Sequence, residues 1–214
     1  MTRPKKKTVP EPGLREQNKL EKRQRIRSAA RELFSEHGYD EATLRQIARR
    51  AHVGLGTLFQ YAKDKRDLIF LIFNEELAAV TEEALQAPQS GQSLQEQLLA
   101  VFATHFYFFS KDPALSRTLL KELVFYSDGV HVAEFLRIRT QLMQGLTEIV
   151  RTSRNRRMIH SDEDPAVIAR NIFFVFSGYI RWWIAGPSPH PFTGLTEFRR
   201  LLNLLIDGLI TPPR

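Results

Sequence analysis

Between Thr43 and Lys65 the chain reads TLRQIARRAHVGLGTLFQYAKDK, a stretch that concentrates side chains able to meet a nucleic acid. Thr43 offers a hydroxyl beside the free backbone N–H groups of a helix start, where a phosphate oxygen is favoured. Arg45 places a guanidinium on the exposed side of that helix, within reach of a phosphate or a base edge. Thr57 and Gln60 fall on the outer face of a second, shorter helix. Glutamine matches the N6/N7 edge of adenine, and threonine meets a thymine methyl or a phosphate. Leu55 is a further candidate for a thymine methyl, and Gly56 lets the backbone come close to a duplex.

The elements that must position these groups are short and locally marked. Thr43 with Gln46 three residues on makes a capping box. Leu44, Ile47, Ala48 and Ala51 then recur at helical spacing and give one apolar face. His52-Val53-Gly54 interrupts the pattern, and Gly54 is the residue expected to take the positive φ or close approach of a sharp turn. The next helix spans Leu55 to Tyr61 with Leu58 as its inward anchor, and Asp64 caps a third. Two short helices joined by a glycine-containing turn form a helix-turn-helix, whose second helix fits the DNA major groove. The second helix has too few apolar residues to serve as core, which disfavours an ordinary helical hairpin.

A longer run of residues carries a resemblance. Arg27-Ser28-Ala29-Ala30-Arg31-Glu32-Leu33-Phe34, His37-Gly38-Tyr39, Ala42-Thr43, Ile47-Ala48, Ala51, Val53, Gly56-Thr57-Leu58-Phe59, Tyr61 and Lys65 resemble, in order and spacing, the N-terminal domain of TetR-type (tetracycline-repressor-like) transcriptional regulators. The resemblance covers about residues 20 to 72. It implies that Tyr61 and Lys65 clamp the DNA backbone. It departs from the family at Ala62, where an aromatic is usual, at Phe59, often a Tyr, and at Gly54-Leu55, which replace a more usual polar pair.

Charge points the same way. The 214 residues carry a formal net charge of +7, with 31 Lys+Arg against 24 Asp+Glu. Residues 1–66 hold 17 of the basic and 8 of the acidic residues, and the remainder hold 14 and 16. A positive segment that coincides with the helix-turn-helix is the footprint expected for phosphate. There is no Cys, which excludes disulfides, thiolate metal sites and a Cys nucleophile. MTRPKKK runs into Pro and Glu and not into an apolar leader. The most apolar run, Ile172 to Ile184, contains Arg181 and is too short to span a bilayer. A cytoplasmic protein without membrane association is expected.

The whole chain reads as all-α, with about nine helices and no internal repeat. Residues 1–18 are expected to be a disordered basic tail, 19–66 the DNA-binding domain, and 67–214 a helical regulatory and dimerisation domain. The first helix is placed at Lys19 to His37, with Ile26, Ala29, Ala30, Leu33 and Phe34 inward and Gly38 as its stop. Later helices are placed at 65–86, at Ser93 to Ser110, from Asp112-Pro113 to about Tyr126, from about Asp128 to Arg154, from Asp164-Pro165 to Gly186, and at about Thr193 to Ile210. The last two are more apolar than a monomer needs. They are expected to form a four-helix bundle across a two-fold axis through Phe176, Tyr179, Trp183, Phe198, Leu202, Leu205 and Leu209, with Gly178 and Gly208 permitting close approach. The alternative is burial within their own subunit.

The resemblance also implies that the C-terminal half binds a small, usually apolar ligand. Phe102, His105, Phe106, Phe109, Phe125, Asn171 and Phe174 are the candidate lining, with His105 and Asn171 as its polar groups. An enzyme is disfavoured: the six His are scattered, and neither H-E-x-x-H, G-x-S-x-G nor a phosphate-binding G-x-x-x-x-G-K-[ST] occurs. No cofactor or metal is expected. The function expected is a sequence-specific DNA-binding regulator, homodimeric and acting as a repressor released from a palindromic operator by its ligand. The alternative is an architectural or constitutive DNA-binding factor with no ligand switch.

Overall fold

The computed structural model describes residues 13–210, and the basic residues Arg3, Lys5, Lys6 and Lys7 lie outside them. The described residues form nine α-helices and one 3-10 turn, with no strand. In order these are α1 (Leu14–His37), α2 (Leu44–Arg50), α3 (Leu55–Phe59), α4 (Lys65–Gln86), α5 (Leu94–Ser110), α6 (Pro113–Glu122), the 3-10 turn Leu123–Phe125, α7 (Val132–Asn155), α8 (Pro165–Ile184) and α9 (Pro191–Ile210). The chain divides into two compact units, Met1–Tyr61 and Ala62–Arg214, a boundary that falls before α4 and not within its first turn.

In the first unit α1 buries the expected stripe of Ile26, Ala29, Ala30, Leu33 and Phe34. It ends at Gly38, whose φ of 82° only glycine adopts freely. Tyr39 then folds back on Phe34, with ring centroids 5.2 Å apart. The helix begins earlier than its apolar stripe predicts: Leu14–Asn18, expected within a disordered tail, are helical although exposed.

The second unit is built on helix starts that the sequence announces. Ser93 and Glu96 form a capping box on α5. Asp112 before Pro113 and Asp164 before Pro165 cap α6 and α8 with their carboxylates, and each Pro takes the first helical position, where its missing N–H costs nothing. An aromatic cluster fills the interior. Phe106 is fully buried, and its ring centroid lies 4.9 Å from that of Trp183 and 5.7 Å from that of Phe198. Phe102 stacks on Phe176 at 4.3 Å.

Two expectations are corrected here. Phe176, Tyr179, Trp183, Phe198 and Leu202, expected at a subunit interface, are buried in their own chain. Gly194 is the local cause at one end: a Cβ there would lie 2.5 Å from the Trp183 indole nitrogen, so only glycine lets α9 close over that ring. Leu205 and Leu209 are half-buried. The unpartnered stripe of α8 lies on the other side, at Phe174, Gly178 and Trp182, and that of α9 at Leu201, Leu204 and Gly208. The second correction concerns α6, which stops at Glu122 instead of running to Tyr126. Tyr126 leaves the helix because its ring stacks on Phe70 at 3.5 Å and its hydroxyl donates to the buried carboxylate of Asp67.

Candidate nucleic-acid interface and ligand cavity

Thr43 caps α2 as its sequence requires. Its Oγ1 accepts from the Gln46 N–H at 3.3 Å, and its own N–H donates to the Gln46 Oε1 at 2.8 Å. Arg50 ties α2 back to α1 through Glu36 at 2.7 Å, which raises the pKa of the guanidinium and lowers that of the carboxyl. Arg45 and Arg49 stay exposed, with no protein partner among the described residues.

The turn between α2 and α3 departs from expectation. Gly54 has an ordinary φ of −67°, and the left-handed residue is His52 at φ 54°. The Val53 N–H donates to the Ala48 carbonyl at 3.0 Å and the His52 N–H to the Arg49 carbonyl at 3.1 Å. That pair of bonds is the Schellman closure of a helix end. The closure puts the left-handed residue immediately after the last helical cap, two positions before the glycine.

Beyond the turn, α3 holds Leu58 fully buried and turns Gly56 and Gln60 outward, with Leu55 and Thr57 half-buried. Nothing lies within 4 Å of a Cβ built on Gly56, so its outer side is open. Thr43, Arg45, Leu55, Gly56, Thr57 and Gln60 therefore share two consecutive short helices of one unit. Tyr61 is half-buried and its hydroxyl donates to the Lys19 carbonyl at 3.4 Å. Lys65 sits at the first position of α4, in the second unit.

The second unit contains a cavity of about 370 Å³, within the size range of small-molecule sites. Its walls are mostly apolar: Leu77, Phe109, Leu123, Phe135, Ile138, Leu142, Phe173 and Phe174 among others. Of the candidate lining residues, His105, Phe109 and Phe174 are placed there. Phe102 and Phe106 instead belong to the aromatic core, Asn171 is exposed, and Phe125 is 79% exposed on the 3-10 turn. Phe176, expected at an interface, is a cavity wall.

His105 is buried, and burial pushes its pKa down to about 4. Its Nδ1 lies 3.1 Å from the Val101 carbonyl, an acceptor, so Nδ1 carries the proton and Nε2 is left as an acceptor. Arg181 is the lining residue that sequence reasoning missed. It donates to the carbonyls of Leu120 and Ser177 and to the Ser177 hydroxyl, and burial lowers its pKa. The signal was present: Arg181 is the one charged residue in the apolar run from Ile172 to Ile184, a place where a buried charge must find partners.

No group of three or more metal-ligating side chains occurs among the described residues, and none of their helices is long and apolar enough to cross a membrane.

The fold and the exposed face of α2 and α3 define a helix-turn-helix transcriptional regulator. Residues 26–72 match the sequence profile of bacterial regulatory proteins of the tetR family, the segment that carries the resemblance seen in the sequence. Among its relatives is the fatty acid metabolism regulator protein of Bacillus subtilis, 24% identical over 196 residues that cover 89% of this chain and 97% of the relative. Two solved structures share the fold. One is a FadR repressor of Thermus thermophilus in complex with lauroyl-CoA, with a TM-score of 0.69 at 23% identity, covering 90% of this chain and 97% of that one. The other is FadR of Bacillus subtilis in complex with stearoyl-CoA, with a TM-score of 0.67 at 22% identity, covering 87% and 98%.

Proposed function

We propose that this regulator is a homodimeric, cytoplasmic repressor that leaves a palindromic operator when a fatty acyl thioester of coenzyme A occupies the second unit. The cavity carries this reading: an apolar interior of about 370 Å³ bounded by Phe109, Phe135, Phe173 and Phe174 suits a hydrocarbon chain. Its few polar groups, among them His105, Ser177 and Arg181, suit a carbonyl somewhere along that chain. The two FadR structures were solved with lauroyl-CoA and stearoyl-CoA, which names the class of ligand to try first. Dimerisation would use the exposed stripes of Phe174, Gly178 and Trp182 on α8 and of Leu201, Leu204 and Gly208 on α9, because two recognition helices one DNA turn apart read a palindrome. At the DNA, Arg45 and the capped start of α2 would hold phosphates while Thr57 and Gln60 meet base edges.

A ligand shifts such an equilibrium only by binding the two states unequally. The test is fluorescence anisotropy of the purified protein on DNA from beside its own gene and on random DNA. The expected result is a specific complex with two protomers per site, dissolved by lauroyl-CoA or stearoyl-CoA and not by coenzyme A alone. A specific complex that neither thioester disturbs would overturn the ligand reading, and equal, steeply salt-dependent binding to both DNAs would overturn the operator reading.

A further inference from the structure

The cavity does not end at its apolar walls. One face of α8 carries Ala166 and Arg170, then Phe173, Phe174, Ser177 and Arg181, at successive helical spacings. The last four line the cavity, and the first two line a neighbouring groove of about 720 Å³. Along α7 the same division holds. Phe135, Ile138 and Leu142 face the cavity, Thr140, Gln144, Thr147 and Arg151 face the groove, and Arg139 borders both. Arg139 is thus common to both, so the mostly apolar cavity and the basic groove adjoin along α7 and α8.

The cations of the groove differ from those elsewhere around the cavity. A second opening, beside Val124 and Leu120, also has arginines, but protein acceptors occupy them. Arg66 is paired with Glu122 at 2.7 Å, Arg117 donates to the Ile184 and Gly186 carbonyls, and Arg181 donates to the Leu120 carbonyl. In the groove, Arg139 and Arg170 have no hydrogen bond or ion pair among the described residues. Arg151 is itself paired with Glu148, the one carboxylate of the groove, but both side chains are at least half exposed, where such a pair holds weakly and a phosphate can compete for the guanidinium. From Arg139 to Arg151 α7 rises about 18 Å, the scale of an extended polyphosphate head and not of a single carboxylate.

We infer that the α7–α8 groove, through Arg139, Arg151 and Arg170, is the binding site for the phosphate-bearing head of a ligand whose hydrocarbon chain lies in the adjoining cavity. The inference rests on the coenzyme A thioester reading and adds to it where the head sits and why a thioester of coenzyme A is preferred over the same chain without phosphates. Guanidinium groups meet phosphate oxygens through paired, charge-assisted hydrogen bonds, and Arg139 at the junction would hold the ligand where chain meets head.

The experiment compares lauroyl-CoA with S-lauroyl pantetheine, which has the same chain and thioester but no phosphate. Both are titrated by calorimetry into the full-length protein and into its Arg151→Gln/Arg170→Gln double variant, whose two changes are exposed and lie outside the cavity. Wild type is expected to bind lauroyl-CoA at least tenfold more tightly than the pantetheine thioester, with a preference that shrinks as salt is raised. In the double variant the preference should vanish while pantetheine thioester binding is retained, which also shows that the variant is folded. A preference that survives unchanged in the variant would overturn the groove assignment and leave the cavity reading standing. Failure of wild type to bind either thioester would overturn both.

Discussion

The two units of this chain carry their chemistry in opposite ways. In the first, the proposed DNA contacts sit on the outside. Arg45, Gly56 and Gln60 are exposed on helices of seven and five residues, held from beneath by Ile47, Ala48 and Leu58. In the second, the proposed site is a space left between helices of ten to twenty-four residues, and most of the residues around it are apolar like the core next to them. Phe109 lines the cavity, whereas Phe106, one turn earlier on the same helix, packs in the aromatic cluster. An exposed site is specified by which side chains are present, and an enclosed one by which side chains fail to meet.

Four measurements break or sharpen that contrast. The largest effect belongs to the enclosed unit. Phe106→Ala removes a ring packed on Trp183, Phe198, Phe176 and Tyr179, and should cost about 3–5 kcal/mol in chemical denaturation. A loss below about 1 kcal/mol would mean that the cluster repacks freely and that cavity and core are not distinct.

His105 comes next. Its folded pKa is lowered to about 4, so between the ordinary value of 6.5 and 4 the unfolded chain binds more protons than the native one. Stability is therefore fully present above about pH 6.5 and falls as the pH is lowered through this window, by about 3 kcal/mol for such a shift. His105→Gln should remove that part of the stability–pH slope, read as the difference between variant and wild type. Parallel profiles would mean that the imidazole protonates in the folded state without penalty. Asp67 acts lower on the scale. Burial opposes its ionisation, but donation from Tyr126 and from the Lys63 and Val130 N–H groups outweighs burial and holds its pKa below the usual value, so its contribution is lost only in stronger acid.

In the exposed unit the effects are smaller and local. Thr43→Ala deletes the cap of α2 and should cost about 1 kcal/mol, visible as a lower thermal midpoint and weaker operator binding. Unaltered values for both would remove Thr43 from the account of that helix. Smallest is His52→Gly. Relief of a left-handed conformation is partly offset by the greater freedom of glycine in the unfolded chain, so a gain below about 1 kcal/mol is expected in thermal denaturation. A loss of stability would show that the imidazole makes contacts that outweigh its backbone strain.

The same contrast governs what the sequence reveals. The helix-turn-helix was legible because caps and stops are written within four residues of where they act, as at Thr43 and Gln46, or Asp64 before α4. Even there, Gly54 was a misleading guide to the left-handed position, because the helix end itself dictates which residue must reverse and His52 occupies it. In α8 the fold was legible and the site was not. A helix apolar nearly all round has no polar face to say which side turns inward, so Phe176, Tyr179 and Trp183 were placed outward. Asn171 was placed inward, although it falls at the exposed edge of the face that Ile168, Ile172 and Phe176 bury. Those choices depend on partners far along the chain, Phe102 and Phe198 among them, which no local spacing encodes.

Arg117 and Arg181 bind α6 and α8 to each other in both directions: one reaches from α6 to the carbonyls that end α8, the other from α8 to the Leu120 carbonyl of α6. These two helices therefore behave as a single stiff plate along one side of the cavity. A longer hydrocarbon chain cannot be accommodated by prising that plate apart without stranding two guanidinium groups. On the acyl-thioester reading the give would come from the walls on α4, α5 and α7, and α7 also carries Arg139 and Arg151, two of the three arginines inferred to hold the head.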